Sequence, residues 1–303
     1  MLVFKYRVFG LNIQCPFECP LLQPTTAIPD IIVEFGQILA GDEALPNRFL
    51  LNITNIARYL IENGNKITIE ADPAAPLNEI QLFLFGSAMG GLLHQRQLLV
   101  LHGCAIEFAQ GVVVFVAESG TGKSTLASLF HHQGFRVFCD DQSVIDVNNG
   151  LLIEPGLGQI KLWQDAMEEQ GLEKTNLKKV YRDHEKYIIP IPQGGLMPKP
   201  LMGVIELQVA KQYDFSPLKG KAKMEVLINH TYRNHYLAGM GLLKQHFLLY
   251  DKVASSIFMA KATRPKKTVS SRDFFELILQ QLELHGIHAT AQCVESYEGI
   301  GMV

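Results

Sequence analysis

The stretch AESGTGKS, residues 117–124, has the residue types and spacing that most clearly indicate chemistry. Gly122, Lys123 and Ser124 match the end of the phosphate-binding pattern GxxxxGK[ST], in which loop amides and a lysine hold phosphates and a hydroxyl binds Mg²⁺. Ala117 stands where the pattern has its first glycine, which is acceptable if its φ is negative, because only a positive φ requires glycine. The residues expected to contact a nucleotide are Glu118, Ser119, Gly120, Thr121, Gly122, Lys123, Ser124 and Thr125.

The sequence on both sides of this loop supports the same interpretation. VVVFVA, directly before it, is an unbroken apolar run of the kind that forms a buried strand. KSTLASLFHH, at its end, has apolar residues on one helical face, and Gly134 is the expected stop of that helix. A strand, the loop and then a helix is the context that distinguishes a phosphate loop from an ordinary glycine-rich turn, which is the alternative interpretation.

Two adjacent carboxylates, Asp140 and Asp141, follow the next predicted strand. The helix from Gly122 to Gln133 would rise about 18 Å, and the strand FRVFC would return about 16 Å. A right-handed crossover of this length brings the pair to the edge of the sheet where the loop lies. Neighbouring residues of an extended chain point to opposite faces, so we expect one carboxylate to hold Mg²⁺ and the other to act as general base. Spacing does not assign the two roles, and a solvated turn is the alternative.

The first third of the chain predicts a small α+β module. FKYRVFGLNI and DIIVEFGQIL have the alternation of strands, and Asn63-Gly64 between two apolar runs predicts a type I′ hairpin. Residues 75–97 then predict a mostly buried helix. We therefore expect an α/β protein in which residues 1–97 form an N-terminal module that presents the substrate, and residues 98–303 form the catalytic domain.

The rest of the chain contains the phosphate loop within a series of strands that ends near residue 147. Residues 148–200 are richer in turns and polar side chains, and the run from Asn229 to about Ser255 predicts a helix. A last helix is predicted by a Ser270-x-x-Asp273 cap at its start and Gly286 at its end.

LHGCAIEF, the loop, its helix and the Asp-Asp pair together resemble the catalytic domain of HPr kinase/phosphorylase and its relatives, over about residues 98–147. EPGLGQIKLWQDAMEEQGL and EKYIIP further resemble HPr-kinase-like kinases found beside peptide-biosynthesis genes, including those that phosphorylate a serine of a lasso-peptide precursor. The glycine-rich signature of the HPr enzymes is not found after the Asp-Asp pair, and the N-terminal module differs from theirs. The resemblance implies a P-loop kinase fold with ATP and Mg²⁺, and the hexameric HPr enzymes make a homo-oligomer a candidate assembly.

The resemblance also implies roles for particular residues. Lys123, His102, Asp140 and Asp141 are the implied catalytic residues, with His102 near the phosphates and Asp140 as the base. Ser124 and Asp141 are the implied metal ligands. Lys186 and Arg233 are candidates for a second positive group on the γ-phosphate, with a solvated or structural charge as the alternative. Trp163 and Tyr232 are candidates for lining a peptide groove, with a core position as the alternative.

These features predict an ATP-dependent, Mg²⁺-requiring kinase that transfers the γ-phosphoryl group to a serine hydroxyl of a peptide or small protein. One alternative keeps the phosphate site but has a small-molecule acceptor such as a sugar or nucleoside. Another is a non-catalytic, ATP-gated binding module, and Ala117 is the feature that favours it.

Composition excludes several other classes of protein. The net charge of −3, with RPKK at Arg264–Lys267 as the only dense basic run, argues against a nucleic-acid partner, and we interpret that run as a solvated turn. The N-terminal sequence does not resemble a signal peptide and no apolar run reaches about 18 residues, so we expect no membrane span and a cytoplasmic protein. The five cysteines are scattered, which favours structural thiols over a disulfide framework or a zinc site.

Overall fold

The computed structural model describes residues 2–42, 47–173, 177–181, 185–191, 197–266 and 271–290. Its strands form a seven-stranded sheet from the first part of the chain, a nine-stranded sheet and a three-stranded sheet. Helices cover these sheets, and the predicted α/β class is confirmed. The first two sheets lie on either side of residue 97 in sequence, while the functional division there stays a prediction.

The N-terminal sheet has the strand order β3-β1-β2-β4-β7-β6-β5. FKYRVFGLNI, expected as one strand, is a hairpin, because Phe9 and Gly10 both have positive φ (53° and 74°) and reverse the chain. The hairpin predicted at Asn63 and Gly64 is confirmed, with φ values of 52° and 67°. The strands of this sheet are β1 (Phe4–Val8), β2 (Leu11–Cys15), β3 (Gln23–Pro24), β4 (Ile31–Phe35), β5 (Arg48–Ile53), β6 (Ala57–Glu62) and β7 (Lys66–Ala71).

The mostly buried helix predicted over residues 75–97 is confirmed as one helical run, and it packs on this sheet. It consists of α1 (Leu77–Phe83), a π-helical turn (Leu84–Ala88) and α2 (Met89–Gln95). The Tyr59 hydroxyl of β6 donates a hydrogen bond to the Ile80 carbonyl at 2.9 Å. The apolar core around this helix also includes side chains from the rest of the chain, so the helix packs against both parts of the protein. Those side chains are Val100, Val144, Tyr232 and Tyr236.

The remaining strands are β8 (Leu99–Leu101), β9 (Gly103–Phe108), β10 (Gly111–Val116), β11 (Val137–Cys139), β12 (Ser143–Asp146), β13 (Leu152–Glu154), β14 (Gln159–Trp163), β15 (Lys178–Lys179), β16 (Lys186–Pro190), β17 (Lys199–Ala210), β18 (Asp214–Pro217) and β19 (Phe258–Pro265). The helices are α3 (Lys123–His132), α4 (Gln164–Glu169), α5 (Lys221–Asn229), α6 (Tyr236–Gly239), α7 (Leu243–Ser256) and α8 (Ser271–Leu284).

The nine-stranded sheet brings the predicted site residues to one edge. Its main order is β11-β9-β10-β17-β13-β12-β8, and β19 pairs with both β17 and β18. Strands β10 and β11 each pair antiparallel with β9, so they run in the same direction with β9 between them. The predicted crossover through α3 is therefore confirmed in direction, although its two strands are not neighbours. Strands β17 and β19 are parallel to β10 and end near the same edge.

The prediction of a helix from Asn229 to about Ser255 was wrong. The run from Asn229 to Ser255 is not one helix, because the chain between α5 and α6 bonds to the end of β8 instead. The His102 amide donates a hydrogen bond to the His230 carbonyl at 2.7 Å, and the Tyr232 amide donates one to the Val100 carbonyl at 2.8 Å.

The turn-rich segment expected between residues 148 and 200 contains the three-stranded sheet β14-β16-β15 as well as β13. Strands β14 and β16 pair although they are far apart in sequence, and a local pattern does not reveal such a pairing. At the last helix, Ser270 of the predicted cap lies outside the described residues, whereas the predicted stop is confirmed by Gly286, whose φ is 77°.

Four cysteines, Cys15, Cys19, Cys104 and Cys139, are buried free thiols, while Cys293 lies outside the described residues. Within the described part of the chain, none of the helices is both long enough and apolar enough to cross a membrane.

Candidate active site

The predicted phosphate loop leaves the fully buried strand β10 and leads into α3. Gly120 and Gly122 have left-handed φ values of 81° and 110°, which side chains other than glycine rarely adopt. Ala117 is buried in the core and has a negative φ. The condition under which alanine is acceptable at the first loop position is therefore met.

Lys123 is the first residue of α3, and its ammonium turns back across the loop. Its Nζ donates to the carbonyl oxygens of Ala117 at 2.5 Å and of Glu118 at 3.2 Å. Burial lowers the pKa of Lys123, and the nearby Cys104, Asp140 and Asp141 oppose that change. The charge is thus held inside the loop by neutral acceptors, which a phosphate oxygen could replace.

Ser124 and Asp140 meet at the end of β11. The Ser124 hydroxyl lies 3.1 and 3.2 Å from the two carboxylate oxygens of Asp140, and the Lys161 amide donates to Asp140 Oδ2 at 2.8 Å. Burial raises the pKa of Asp140, and the bond from the Lys161 amide opposes that rise. A hydroxyl and a carboxylate side by side are hard oxygen donors of the kind that Mg²⁺ prefers.

Asp141 has different partners from its neighbour. Its Oδ2 lies 2.9 Å from Lys161 Nζ, and its Oδ1 lies 3.2 Å from His102 Nδ1. Burial raises the pKa of Asp141, but Lys161 and His102 outweigh burial and hold that pKa well below its usual range. The φ of Asp141 is 85°, so a left-handed backbone, rather than the expected extended one, turns the two carboxylates toward different partners.

Lys161 is a site residue that the sequence analysis missed. It lies on β14 and is buried, and although burial lowers its pKa, Asp141 outweighs burial and raises it. Lys161 and Asp141 are thus a charged pair. A lysine within the apolar run IKLW could have indicated a site, because a buried charge needs a partner.

Arg264 corrects the interpretation of RPKK as a solvated turn. It lies on β19, and its Nη2 donates to the Thr121 carbonyl of the phosphate loop at 2.9 Å. The parallel course of β10, β17 and β19 explains this contact, because their ends meet at one edge of the sheet. Lys267 lies outside the described residues.

The four remaining candidates from the sequence lie around the same region. Lys186 Nζ is 5.5 Å from the ring centre of Trp163, and both residues line the cavity beside the loop. Trp163 is substantially exposed, whereas Tyr232 is buried with the Arg233 guanidinium 5.5 Å from its ring centre. Tyr232 and Arg233 line a second cavity on the other side of His102.

The two cavities share part of their lining, which includes His102, Asp141, Arg264 and loop residues 119–121. The first has a volume of about 330 Å³ and is lined by the phosphate loop and by both aspartates. The second has a volume of about 1300 Å³ and is lined by Asp141 but not by Asp140. Ser124 and Asp140 thus line only the first of the two cavities, whereas Asp141, His102 and part of the loop line both.

Comparison with known proteins adds little to this geometry. No protein-family model matches the chain, and no curated protein matches it either. A solved structure, the HPr(Ser) kinase/phosphatase from Coxiella burnetii, aligns with 67% of this chain and 99% of its own, at 14% sequence identity and a TM-score of 0.33. A similarity at that level carries no conclusion about activity.

Proposed function

We propose that the protein is an ATP-dependent, Mg²⁺-requiring kinase that transfers the γ-phosphoryl group to a hydroxyl. The observation that supports this most is the contact between Ser124 and both carboxylate oxygens of Asp140, at 3.1 and 3.2 Å, where the phosphate loop meets α3. A phosphate loop, a hydroxyl and a carboxylate in this arrangement are the parts with which P-loop enzymes hold a nucleotide and its metal ion.

The residues of the first cavity fit ATP and Mg²⁺. The start of α3 directs backbone amides at the loop, and Lys123 and Arg264 contribute positive charge for phosphate oxygens. No group of three or more His, Cys, Asp and Glu side chains that could hold a metal ion occurs among the described residues. Mg²⁺ commonly takes only one or two protein ligands beside water and substrate phosphates, so Ser124 and Asp140 suffice. When bound, Mg²⁺ would neutralise phosphate charge.

The contacts support roles for the two aspartates opposite to those implied by the resemblance. Asp140 engages Ser124 and the Lys161 amide and lines only the first cavity, so we assign it to the metal ion. Asp141 also lines the second cavity, so we assign it to the acceptor hydroxyl. Its ionised carboxylate would orient that hydroxyl and accept its proton. Because the transition state of phosphoryl transfer is loose, such positioning matters more than high basicity.

The size of the second cavity supports a peptide or small protein as the acceptor. Its volume of about 1300 Å³ exceeds the range of about 300–1,000 Å³ that is typical of small-molecule sites. Tyr232 and Arg233 line it and would contact chain on either side of a target serine. The non-catalytic alternative loses its main support, because the negative φ of Ala117 makes alanine compatible with the loop.

Transfer of labelled γ-phosphate from ATP to peptides and proteins of the source organism tests this function. Label on a serine, lost in Lys123→Ala, is the expected result. Asp141→Asn should keep MgATP affinity and lower transfer by about 10²–10⁴-fold. Asp140→Asn should weaken the Mg²⁺ dependence of nucleotide binding.

Each other result has a definite meaning. ATP binding without label on any acceptor would support the non-catalytic module, and label on small alcohols alone would support a small-molecule kinase. Equal loss of nucleotide affinity and of transfer in Asp141→Asn would contradict its assignment to the acceptor side.

A further inference from the structure

Gln142 connects the catalytic loop to the N-terminal helix. It follows Asp141 directly and is buried, and its Nε2 donates to the carbonyl oxygens of Phe85 and Gly86, both at 3.0 Å. Those carbonyls belong to the π-helical turn Leu84–Ala88. Such turns are rare and often occur at functional sites. The N-terminal helix is thus bonded to the residue next to a proposed catalytic carboxylate.

Tyr232 makes a second connection to the same helix. A Cβ atom at Gly90 would lie 2.9 and 3.0 Å from Cδ1 and Cε1 of Tyr232, so only glycine permits this approach. The Tyr232 carbonyl oxygen lies 2.8 Å from His94 Nε2 of α2. On its other side, the Tyr232 ring centre is 5.8 Å from that of His102, the residue whose Nδ1 contacts Asp141.

The backbone of Asp141 requires such support. A φ of 85° is uncommon for a residue with a side chain, and although aspartate adopts it more readily than most, it costs free energy that contacts with the surrounding structure must offset. Asp141 is held through its side chain by Lys161 and His102. The residue after it is held by the two bonds of Gln142 to the π-helical turn.

We propose that Gln142 is a positioning residue that keeps Asp141 in its left-handed conformation, so that the helical run 77–95 is part of the catalytic centre. The structural part of this inference is independent of the reaction, whereas its effect on turnover rests on the proposed kinase function. None of the residues of this helical run lines either cavity of the site, so it would act on chemistry through Gln142 and Tyr232.

Gln142→Met tests this inference, since it removes both donors and keeps a similar side-chain volume. Tyr59→Phe is the matched control, because it removes a bond of the same kind to the same helix, at Ile80, away from the catalytic loop. The first readout is the ¹⁵N chemical shifts of the His102 ring at fixed pH, which report its contact with Asp141. We expect these shifts to move in Gln142→Met and to stay in Tyr59→Phe, with a similar fall in Tm for both.

The second readout is the kinetics of ATP-dependent transfer. Gln142→Met should lower kcat by about tenfold to a hundredfold, because small misplacements of a catalytic group have effects of that size. The KM for MgATP should change less than about twofold, because the phosphate loop is untouched. Tyr59→Phe should leave both constants unchanged.

Unchanged His102 shifts in Gln142→Met would overturn the positioning role whatever the activity. If the His102 signals move in Gln142→Met but the wild-type protein itself transfers no phosphate, the result would support the positioning role and contradict the kinase proposal. If Gln142→Met does not fold, Gly90→Ala provides the second variant, because its methyl group would displace the Tyr232 ring. His102 signals that do not move in Gly90→Ala would then refute the inference.

Discussion

Lys161→Met should destabilise the protein by about 2–3 kcal/mol at pH 7.5. Lys161 Nζ and Asp141 Oδ2 are 2.9 Å apart, with side chains 9% and 26% exposed. Removing one partner of a buried ion pair costs about 3–5 kcal/mol, because the other charge stays behind uncompensated. Asp141 retains some exposure and its contact with His102, so we expect a value at or just below the bottom of that range.

The effect of Lys161→Met should depend on pH. Burial raises the pKa of Asp141, but in the wild type Lys161 and His102 outweigh burial and depress that pKa. The resulting stabilisation is present above the unfolded pKa of about 3.9 and is lost as the pH falls through the folded pKa. In the variant, only His102 opposes burial, and the pKa of Asp141 rises. The difference in unfolding free energy should therefore be full at pH 7.5 and shrink as the pH falls below the raised pKa of Asp141 in the variant.

Urea unfolding at a series of pH values from 7.5 down to about 3 measures both effects, followed by circular dichroism and by the fluorescence of Trp163, the single tryptophan of the chain. Lys66→Met is the matched control, because the Lys66–Glu34 pair has the same 2.9 Å separation but side chains 41% and 48% exposed. An exposed pair of this kind contributes less than about 1 kcal/mol. An equally small, pH-independent loss in both variants would refute the reasoning about burial.

Two further predictions concern the loop and the histidines. Gly122→Ala should cost about 1–2 kcal/mol of stability and weaken MgATP binding, because an alanine at a φ of 110° is strained. Calorimetric titration checks this, and wild-type affinity would contradict the assignment of the loop. Burial and the neighbouring His94 lower the pKa of His246 to about 4, below its unfolded value of about 6.5. The contribution of this shift to the free energy of unfolding is complete above pH 6.5 and should fall by up to about 3 kcal/mol as the pH drops to 4. His246→Phe should flatten this dependence in urea unfolding, and an unchanged slope would contradict it.

The features that could be predicted from the sequence depend on neighbouring residues. The phosphate loop, its helix and the Asn63-Gly64 hairpin each follow from a short pattern with a local physical cause. The position of Asp140 and Asp141 follows from the lengths of one helix and one strand. These predictions needed no knowledge of the rest of the chain.

The features that were missed depend on partners far away in sequence. Lys161 reaches Asp141 only because β14 lies beside the end of β11, and Arg264 reaches the loop only because β19 joins the sheet next to β17. The chain around Tyr232 was predicted to be helical, but its backbone groups form hydrogen bonds with the chain at the end of β8. These bonds satisfy backbone donors and acceptors that a helix would otherwise satisfy within itself. Tertiary contacts thus outweighed local preference.

Glycines in the N-terminal helix are the sequence feature that could have predicted its contacts with both parts of the chain. Gly86, Gly90 and Gly91 all lie within one predicted helix, where each glycine costs about 1 kcal/mol relative to alanine. Such a cost calls for a reason, and close approach of another side chain is the usual one. Gly90 admits the Tyr232 ring, and Gly91 lies against β6 of the N-terminal sheet. Glycines within a buried helix therefore indicate that it contacts more than one part of the protein.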